Sequence, residues 1–231
     1  MRRSLLLLMI VSVSACVSPA PENTGAPPAP VRTDRGTADT GRDTPPASVL
    51  PQLRIDPERA LGSAAASIAI VEFGDYQCPY CRGFHAGTFS RLRSAYIDTG
   101  KARYFYKEFP LRMHQHAFGA SVAAYCAGAQ KRYWQMQDSL YGKQAQLSEA
   151  LYIELAEELK LDVTQFNTCR RSRAAHAAIG RDLEDGRRLG ISGTPSFVLG
   201  RVDGDRVIVQ RMATGAPAFE VFARELDALA R

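Results

Sequence analysis

Gly74-Asp75-Tyr76-Gln77-Cys78-Pro79-Tyr80-Cys81-Arg82 decides how this 231-residue chain is read. The run before it, Ser67-Ile68-Ala69-Ile70-Val71-Glu72-Phe73, is short, apolar and rich in β-branched residues, and reads as a buried strand. After Cys81 the apolar spacing turns helical, with Phe84, Phe89, Leu92 and Tyr96 on roughly one face. A Cys-x-x-Cys pair therefore stands where a strand hands over to a helix, with Cys78 at the helix N-terminus. Unpaired backbone N–H groups and the positive end of the helix dipole favour a thiolate there. In such motifs the nucleophile's pKa falls to roughly 3.5–7, against about 8.5 for a free cysteine. Cys81, one turn on, points inward and is close enough to close a disulfide with Cys78. Pro79 suits the first helical turn, where its missing N–H costs nothing.

Two cysteines at this spacing also occur as a structural disulfide or as half of a zinc site. Zinc wants two further ligands at short spacing, and Cys126 and Cys169 stand alone. A c-type haem needs His directly after the second cysteine; Arg82 is there, and His85 comes too late. His114 and His116 form an H-x-H without a third ligand and read as a solvated helix start. Redox chemistry is the expectation, with no metal and no cofactor.

Composition is that of an ordinary soluble protein, 45% hydrophobic and 23% charged. The net charge of +5 falls by two if Arg2 and Arg3 are removed, too mild for a nucleic-acid partner, and no basic cluster interleaved with aromatics is present. Arg2 and Arg3 precede an apolar core, Leu5 to Val13, too short to span a bilayer as a helix. Val13-Ser14-Ala15-Cys16 follows. It resembles the lipobox of bacterial lipoproteins, which implies cleavage before Cys16, lipidation of Cys16 and a membrane as partner. An ordinary signal peptide or an uncleaved anchor are the other readings. Residues 1–15 are thus expected to be a signal peptide. Residues 16–49, rich in Pro, Thr and Ala and poor in large apolar side chains, are expected to be a disordered tether, with a reach of roughly 30 Å. Export agrees with the cysteine content, since disulfides persist outside the cytosol.

The folded domain is expected over residues 50–231. A second strand, Ala102 to Phe109, is closed by Pro110. Helical periodicity then runs through Phe118, Val122 and Tyr125, and through Tyr133, Trp134, Met136 and Leu140. Ser148 reads as the N-cap of a helix from Glu149 to Leu159, and Asp162 as the cap of the next, which carries Phe166 and Cys169. A further helix reaches Leu189 and stops at Gly190. Two strands follow, Pro195 to Leu199 and Arg206 to Val209, with a turn at Asp203-Gly204. Pro217 opens a last helix with Phe219, Phe222, Leu226 and Leu229 inward. Strand, helix, strand, helical block, hairpin and helix make an α/β chain: a thioredoxin core with helices inserted in its middle.

Three stretches resemble the DsbA-like thiol–disulfide oxidoreductases of the thioredoxin superfamily: Val71-Glu72-Phe73-Gly74-Asp75-Tyr76-Gln77-Cys78-Pro79-Tyr80-Cys81, Lys107-Glu108-Phe109-Pro110-Leu111 and Gly190-Ile191-Ser192-Gly193-Thr194-Pro195-Ser196-Phe197. The resemblance covers about Ser67 to the C-terminus and implies a thioredoxin fold with a helical insertion at roughly 114–189. It implies that Cys78 and Cys81 are catalytic, with Pro79 and Tyr80 helping to set the potential. It also implies a cis Thr194–Pro195 bond beside them, where Thr194's backbone groups would pair with an extended substrate; a trans proline opening a strand is the alternative. Glu72 matches a buried acid of the family and would relay a proton for Cys81, unless it faces outward. Some family members carry a second disulfide in the insert, which implies Cys126–Cys169; two reduced core cysteines are the other reading. Substrates would be thiols and disulfides of exported proteins, with a separate redox partner, at the periplasm or cell surface. Oxidation or isomerisation is the first expectation. A reductase, or a binding module of the same fold without turnover, are the rivals.

Overall fold

The computed structural model describes residues 50–231. The signal segment, Cys16 and the tether lie outside the described residues.

Strand β3 (Ile68–Gly74) is buried at every position, because both its faces are covered. Alternation sends Ile68 and Ile70 into one core and Ala69, Val71 and Phe73 into the other. The same parity puts Glu72 on the Ile68 and Ile70 face. β3 runs parallel to β4 (Ala102–Glu108) and antiparallel to β5 (Ser196–Asp203), which pairs with β6 (Arg206–Thr214). Two short edge strands complete the sheet, β1 (Gln52–Arg54) on β6 and β2 (Ala60–Leu61) on β4, giving the order β1-β6-β5-β3-β4-β2. These two were not expected: runs of three and two residues carry no legible period.

Helix α1 (Pro79–Ala86) follows β3. The expected long helix after it is broken. Gly87, at φ −123° and ψ −84°, separates α1 from α2 (Thr88–Leu92), and a π-turn over Arg93–Ile97 carries the chain on to β4. Phe84, Phe89, Leu92 and Tyr96 nevertheless reach one core, so the apolar face is kept while the helix is not. Between β4 and β5 lie α3 (Ala117–Gly128), α4 (Tyr133–Gly142), α5 (Glu149–Glu158), α6 (Val163–Arg170) and α7 (Arg173–Arg188). Ser148 Oγ accepts from Leu151 N at 3.2 Å and Asp162 Oδ1 from Gln165 N at 2.9 Å, so each caps its helix. Gly190, at φ +76°, ends the turn after α7 in the left-handed region. Helix α8 (Phe219–Leu229) buries Phe222, Leu226 and Leu229 against the sheet.

The larger core joins α1–α8 to one face of the sheet, α7 through Ala175 and Ile179; the smaller one, around Val71, Phe73, Phe105 and Phe109, takes Leu53, Ile191, and Leu183 and Leu189 from the end of α7 and its C-cap on the other. A buried ion network ties the second face together. Asp182 of α7 meets Arg59 Nη1 at 2.5 Å, Lys107 Nζ at 3.0 Å and Glu108 N at 3.1 Å, and Asp185 meets Lys107 Nζ at 2.6 Å. Burial alone would raise the Asp182 carboxyl, but the Arg59 and Lys107 cations hold it below the usual carboxylate range. Removing one partner of such a network costs about 3–5 kcal/mol, because the others stay buried and unpaired.

The structure joins Cys126 of α3 to Cys169 of α6 with an S–S bond of 2.03 Å, 43 residues apart in sequence. Replacing both by alanine should cost at most about 4 kcal/mol of stability under the chain-entropy account, and leave the reactivity of Cys78 within a few-fold. Thermal melts and single-turnover oxidation of one preparation check this. A catalytic loss without a shifted melt would contradict a structural role.

Candidate active site

The segment Gly74–Cys78 turns the chain from β3 into α1, and buried polar groups hold that turn on three sides. Gly74 lets the strand end pass close under Tyr106; a Cβ here would stand 2.2 Å from the Tyr106 hydroxyl oxygen. Asp75 is fully buried. Its Oδ1 accepts from Gln77 N at 2.7 Å, and its Oδ2 takes Leu111 N and His114 Nδ1, each at 2.8 Å. Gln77 Oε1 accepts from His116 N at 2.8 Å. Gln144, just past α4, donates to the carbonyls of Tyr76 at 2.7 Å and Cys78 at 2.9 Å. The helical insert therefore clamps the loop. His114 is not a solvated helix residue, as its sequence position suggested: it is half-buried against Asp75, and α3 begins only at Ala117.

Cys78 occupies the N-cap of α1 and Pro79 its first turn, while Cys81 lies one turn inside. Both are unbridged and buried, Cys78 at 3% exposure and Cys81 at 0%, whereas Tyr80 between them is 71% exposed. The Thr194–Pro195 bond is cis, and Thr194 presents its carbonyl to Cys78, which donates Sγ–H to it at 3.3 Å. The buried Thr194 side chain also faces the Cys78 sulfur. The two thiols differ sharply. The hydrogen bond from Cys81, opposed by burial and joined by Thr194 and the Tyr80 and Cys81 backbone N–H groups, lowers the Cys78 thiol to about 5. Burial pushes the Cys81 thiol far up, with the hydrogen bond to Cys78 and the Glu72 charge acting the same way. Near neutral pH the pair holds one stable thiolate, at the surface end, and one inner thiol that keeps its proton.

Glu72 is wholly buried. Tyr104 donates its hydroxyl to Glu72 Oε2, and His85 Nε2 lies 3.1 Å from Oε2 and 3.3 Å from Oε1. A second buried acid, Glu108, accepts from Tyr133 at 2.6 Å and Tyr76 at 3.2 Å, and burial raises its carboxyl to about 8. Among the described residues no group of three or more His, Cys, Asp or Glu is placed to hold a metal ion.

A family model described as "Thioredoxin" matches residues 55–211. The chain belongs to the thioredoxin family. Two curated relatives are a "Na(+)/H(+) antiporter NhaA 1" of Salinispora arenicola, 33% identical over 146 residues, and a "Probable disulfide bond formation protein D" of Bacillus anthracis, 29% identical over 147. The matches take in 62% and 60% of this chain, and 22% and 68% of those proteins. Among solved structures, alpha-DsbA1 of Wolbachia pipientis superposes with a TM-score of 0.66 at 24% identity, over 74% of this chain and 90% of that one. The fold is thus the thioredoxin-like α/β fold expected from the sequence, with DsbA-type structural neighbours. The antiporter's name speaks for a protein more than four times longer than its match here, and no described helix of this chain is long and apolar enough to cross a membrane.

In this thioredoxin-family site the structure brings together Cys78, Cys81, Pro79, Tyr80, Glu72, Thr194 and Pro195. Cys126 and Cys169 lie apart, in the insert. Gln144, Asp75 and His85 also belong to the site and carried no weight in the sequence. His85, seven positions after Cys78 and so two helical turns along, was the one with a readable signal.

The Cys78 value has a consequence for stability. In the reduced native state the thiol ionises near 5, and in the unfolded chain near 8.5. Between these values the unfolded state binds more protons, so stability rises with pH. The thiolate contribution is complete above the unfolded value and lost as pH falls through about 5. Reduced protein should gain stability relative to Cys78→Ser from about pH 5 to pH 8, and its ultraviolet thiolate absorbance should titrate near 5. Parallel stability curves, or a midpoint near 8.5, would contradict the stabilised thiolate.

Proposed function

We propose that this chain is a thiol–disulfide oxidoreductase acting outside the cytoplasm on thiols of exported proteins, with oxidation its principal direction. The observation that carries the proposal is the unequal pair: a Cys78 thiol lowered to about 5 at the N-cap of α1, over a Cys81 held protonated by burial. In the oxidising direction a substrate thiolate attacks Cys78 Sγ. The Cys78–Cys81 bond breaks, Cys81 leaves and takes up a proton, and a mixed disulfide remains. A second substrate thiolate then attacks the substrate sulfur of that bond and Cys78 departs as a thiolate. Two electrons have passed from the substrate dithiol to the pair, and a separate redox partner removes them. Stabilising the departing Cys78 thiolate favours the reduced form of the enzyme, which makes the pair an oxidant.

Glu72 is the proton donor to Cys81 in this reading, and burial favours the role: a fully buried Cys81 leaving group cannot draw its proton from bulk solvent. Thr194 offers backbone beside Cys78 for an extended substrate segment, in the manner of an added strand. Location outside the cytoplasm rests on Arg2, Arg3 and the Leu5–Val13 core, and on the Cys126–Cys169 bond; membrane tethering rests on Cys16.

Cys78→Ser should abolish oxidation of a peptide dithiol, and Glu72→Gln should slow single turnover by about 10²-fold or more while shifting the melt little. Full activity in Cys78→Ser would leave a binding module rather than an enzyme. Rates unchanged in Glu72→Gln across about pH 5 to 8 would remove Glu72 from the mechanism.

A further inference from the structure

A buried acid that protonates Cys81 must itself be reloaded, and Glu72 has no exposure to bulk solvent. It sits on the central strand, flanked by β4 and β5 and covered by the larger core. Two side chains reach its carboxylate. Tyr104 is fully buried, and burial pushes its phenol well up, so it keeps its proton. The other is His85, on the last turn of α1, with Nε2 at 3.1 Å and 3.3 Å from the two carboxylate oxygens. His85 also lines an open cleft of about 650 Å³ where α1, α2 and α4 meet. One imidazole therefore spans the distance from the buried carboxylate to solvent.

We propose that His85 is the proton relay between Glu72 and bulk water, a proposal that rests on the thiol–disulfide reading above. When substrate reduces the Cys78–Cys81 disulfide, Glu72 gives its proton to the departing Cys81 thiolate. His85 Nε2 then returns one to the Glu72 carboxylate, and the imidazole recovers it from water in the cleft. When a redox partner reoxidises the pair, Cys81 loses its proton to Glu72, and the same path carries that proton out. One proton crosses in each half-reaction and no further co-reactant is needed. An imidazole suits the task because it accepts at one nitrogen while the other gives up a proton.

The surroundings of His85 fit a relay more than a structural ion pair. Its ring stacks on Tyr141 of α4, centroids 4.4 Å apart and planes at 23°, with Phe84 and Phe89 also against it; this packing fixes the plane that aims Nε2 at Glu72. Tyr106 of β4 is the remaining polar ring nearby, and it is hydrogen-bonded to Tyr141 at 2.6 Å. Burial holds both phenols protonated, so neither offers a second exit. On the solvent side the cleft carries Asp138, Arg82 and Arg93. Burial raises the Asp138 carboxyl, opposed by the His85 and Arg93 charges.

The test is single-turnover reduction of the oxidised full-length protein by a peptide dithiol, in wild type, His85→Gln, His85→Ala and Glu72→Gln, with and without added imidazole. Glutamine keeps a hydrogen bond to Glu72 but cannot pass a proton, and alanine opens the cleft to free imidazole. The expected result is a loss of at least about tenfold in both His85 variants. Added imidazole should restore most of the rate in His85→Ala, with a pH profile that follows the imidazole buffer, and should not change wild type. Should His85→Gln not fold, the alanine variant carries the comparison. An unchanged rate in the His85 variants overturns the proposal, as does a slowed rate that imidazole leaves untouched, since that marks a packing role. If wild type fails to exchange at all, the thiol–disulfide reading falls. If wild type and the His85 variants react normally while Glu72→Gln is slow, only the His85 relay falls.

Discussion

The structure depends on one asymmetry: two thiols three residues apart in a single helix turn stand in opposite environments. Cys78 is at the N-cap, where the Cys81 thiol and the free N–H groups of the turn point at its sulfur; Cys81 is one turn deeper, with no exposure and a carboxylate close by. The same few ångströms of burial that deny Cys81 a charge make its proton available to the Cys78 sulfur. Neither property belongs to a cysteine by itself. Each is set by where β3 ends and α1 begins, and that junction is fixed by everything packed around it.

Most of the remaining polar architecture can be understood as holding that junction. Asp75, Gln77 and Gln144 bind the loop from Gly74 to Cys78 to the segment after β4 and to the insert. The N–H groups of Gln77, Leu111 and His116 and the carbonyls of Tyr76 and Cys78 find side-chain partners there. At the far face, the Arg59–Asp182–Lys107 network locks α7 to β4, and α7 is the helix that leads through Gly190 to Thr194 and Pro195. A site assembled from three stretches of chain, near residues 75, 110 and 194, thus owes its geometry to helices that contribute no reacting atom.

Much of this was legible in the sequence, for definite reasons. β3 and β4 announce themselves through β-branched and aromatic runs, and the Cys-x-x-Cys marks where the strand hands over to the helix. Ser148 and Asp162 are where caps belong, because a short acceptor side chain before an apolar period has little else to do. What stayed hidden depends on contacts between distant residues. β1 and β2 are too short to carry a period, and exist because β6 and β4 present open edges to them. The helix after Cys81 kept its apolar face but broke at Gly87, whose φ of −123° and ψ of −84° are not helical. His114 read as exposed because nothing local marks a histidine whose partner, Asp75, is 39 residues away. His85 was noticed only as too late for haem ligation; its meaning needs the fold that lays α1 over Glu72.

Stabilising the Cys78 thiolate lowers the free energy of the reduced pair and so raises its appetite for electrons. The reduction potential of the Cys78–Cys81 couple, measured by equilibrating the protein with glutathione buffers of defined ratio, tests that claim directly. The account predicts an oxidising value approaching about −120 mV. A value near −270 mV, that of a thioredoxin-like reductant, would contradict it.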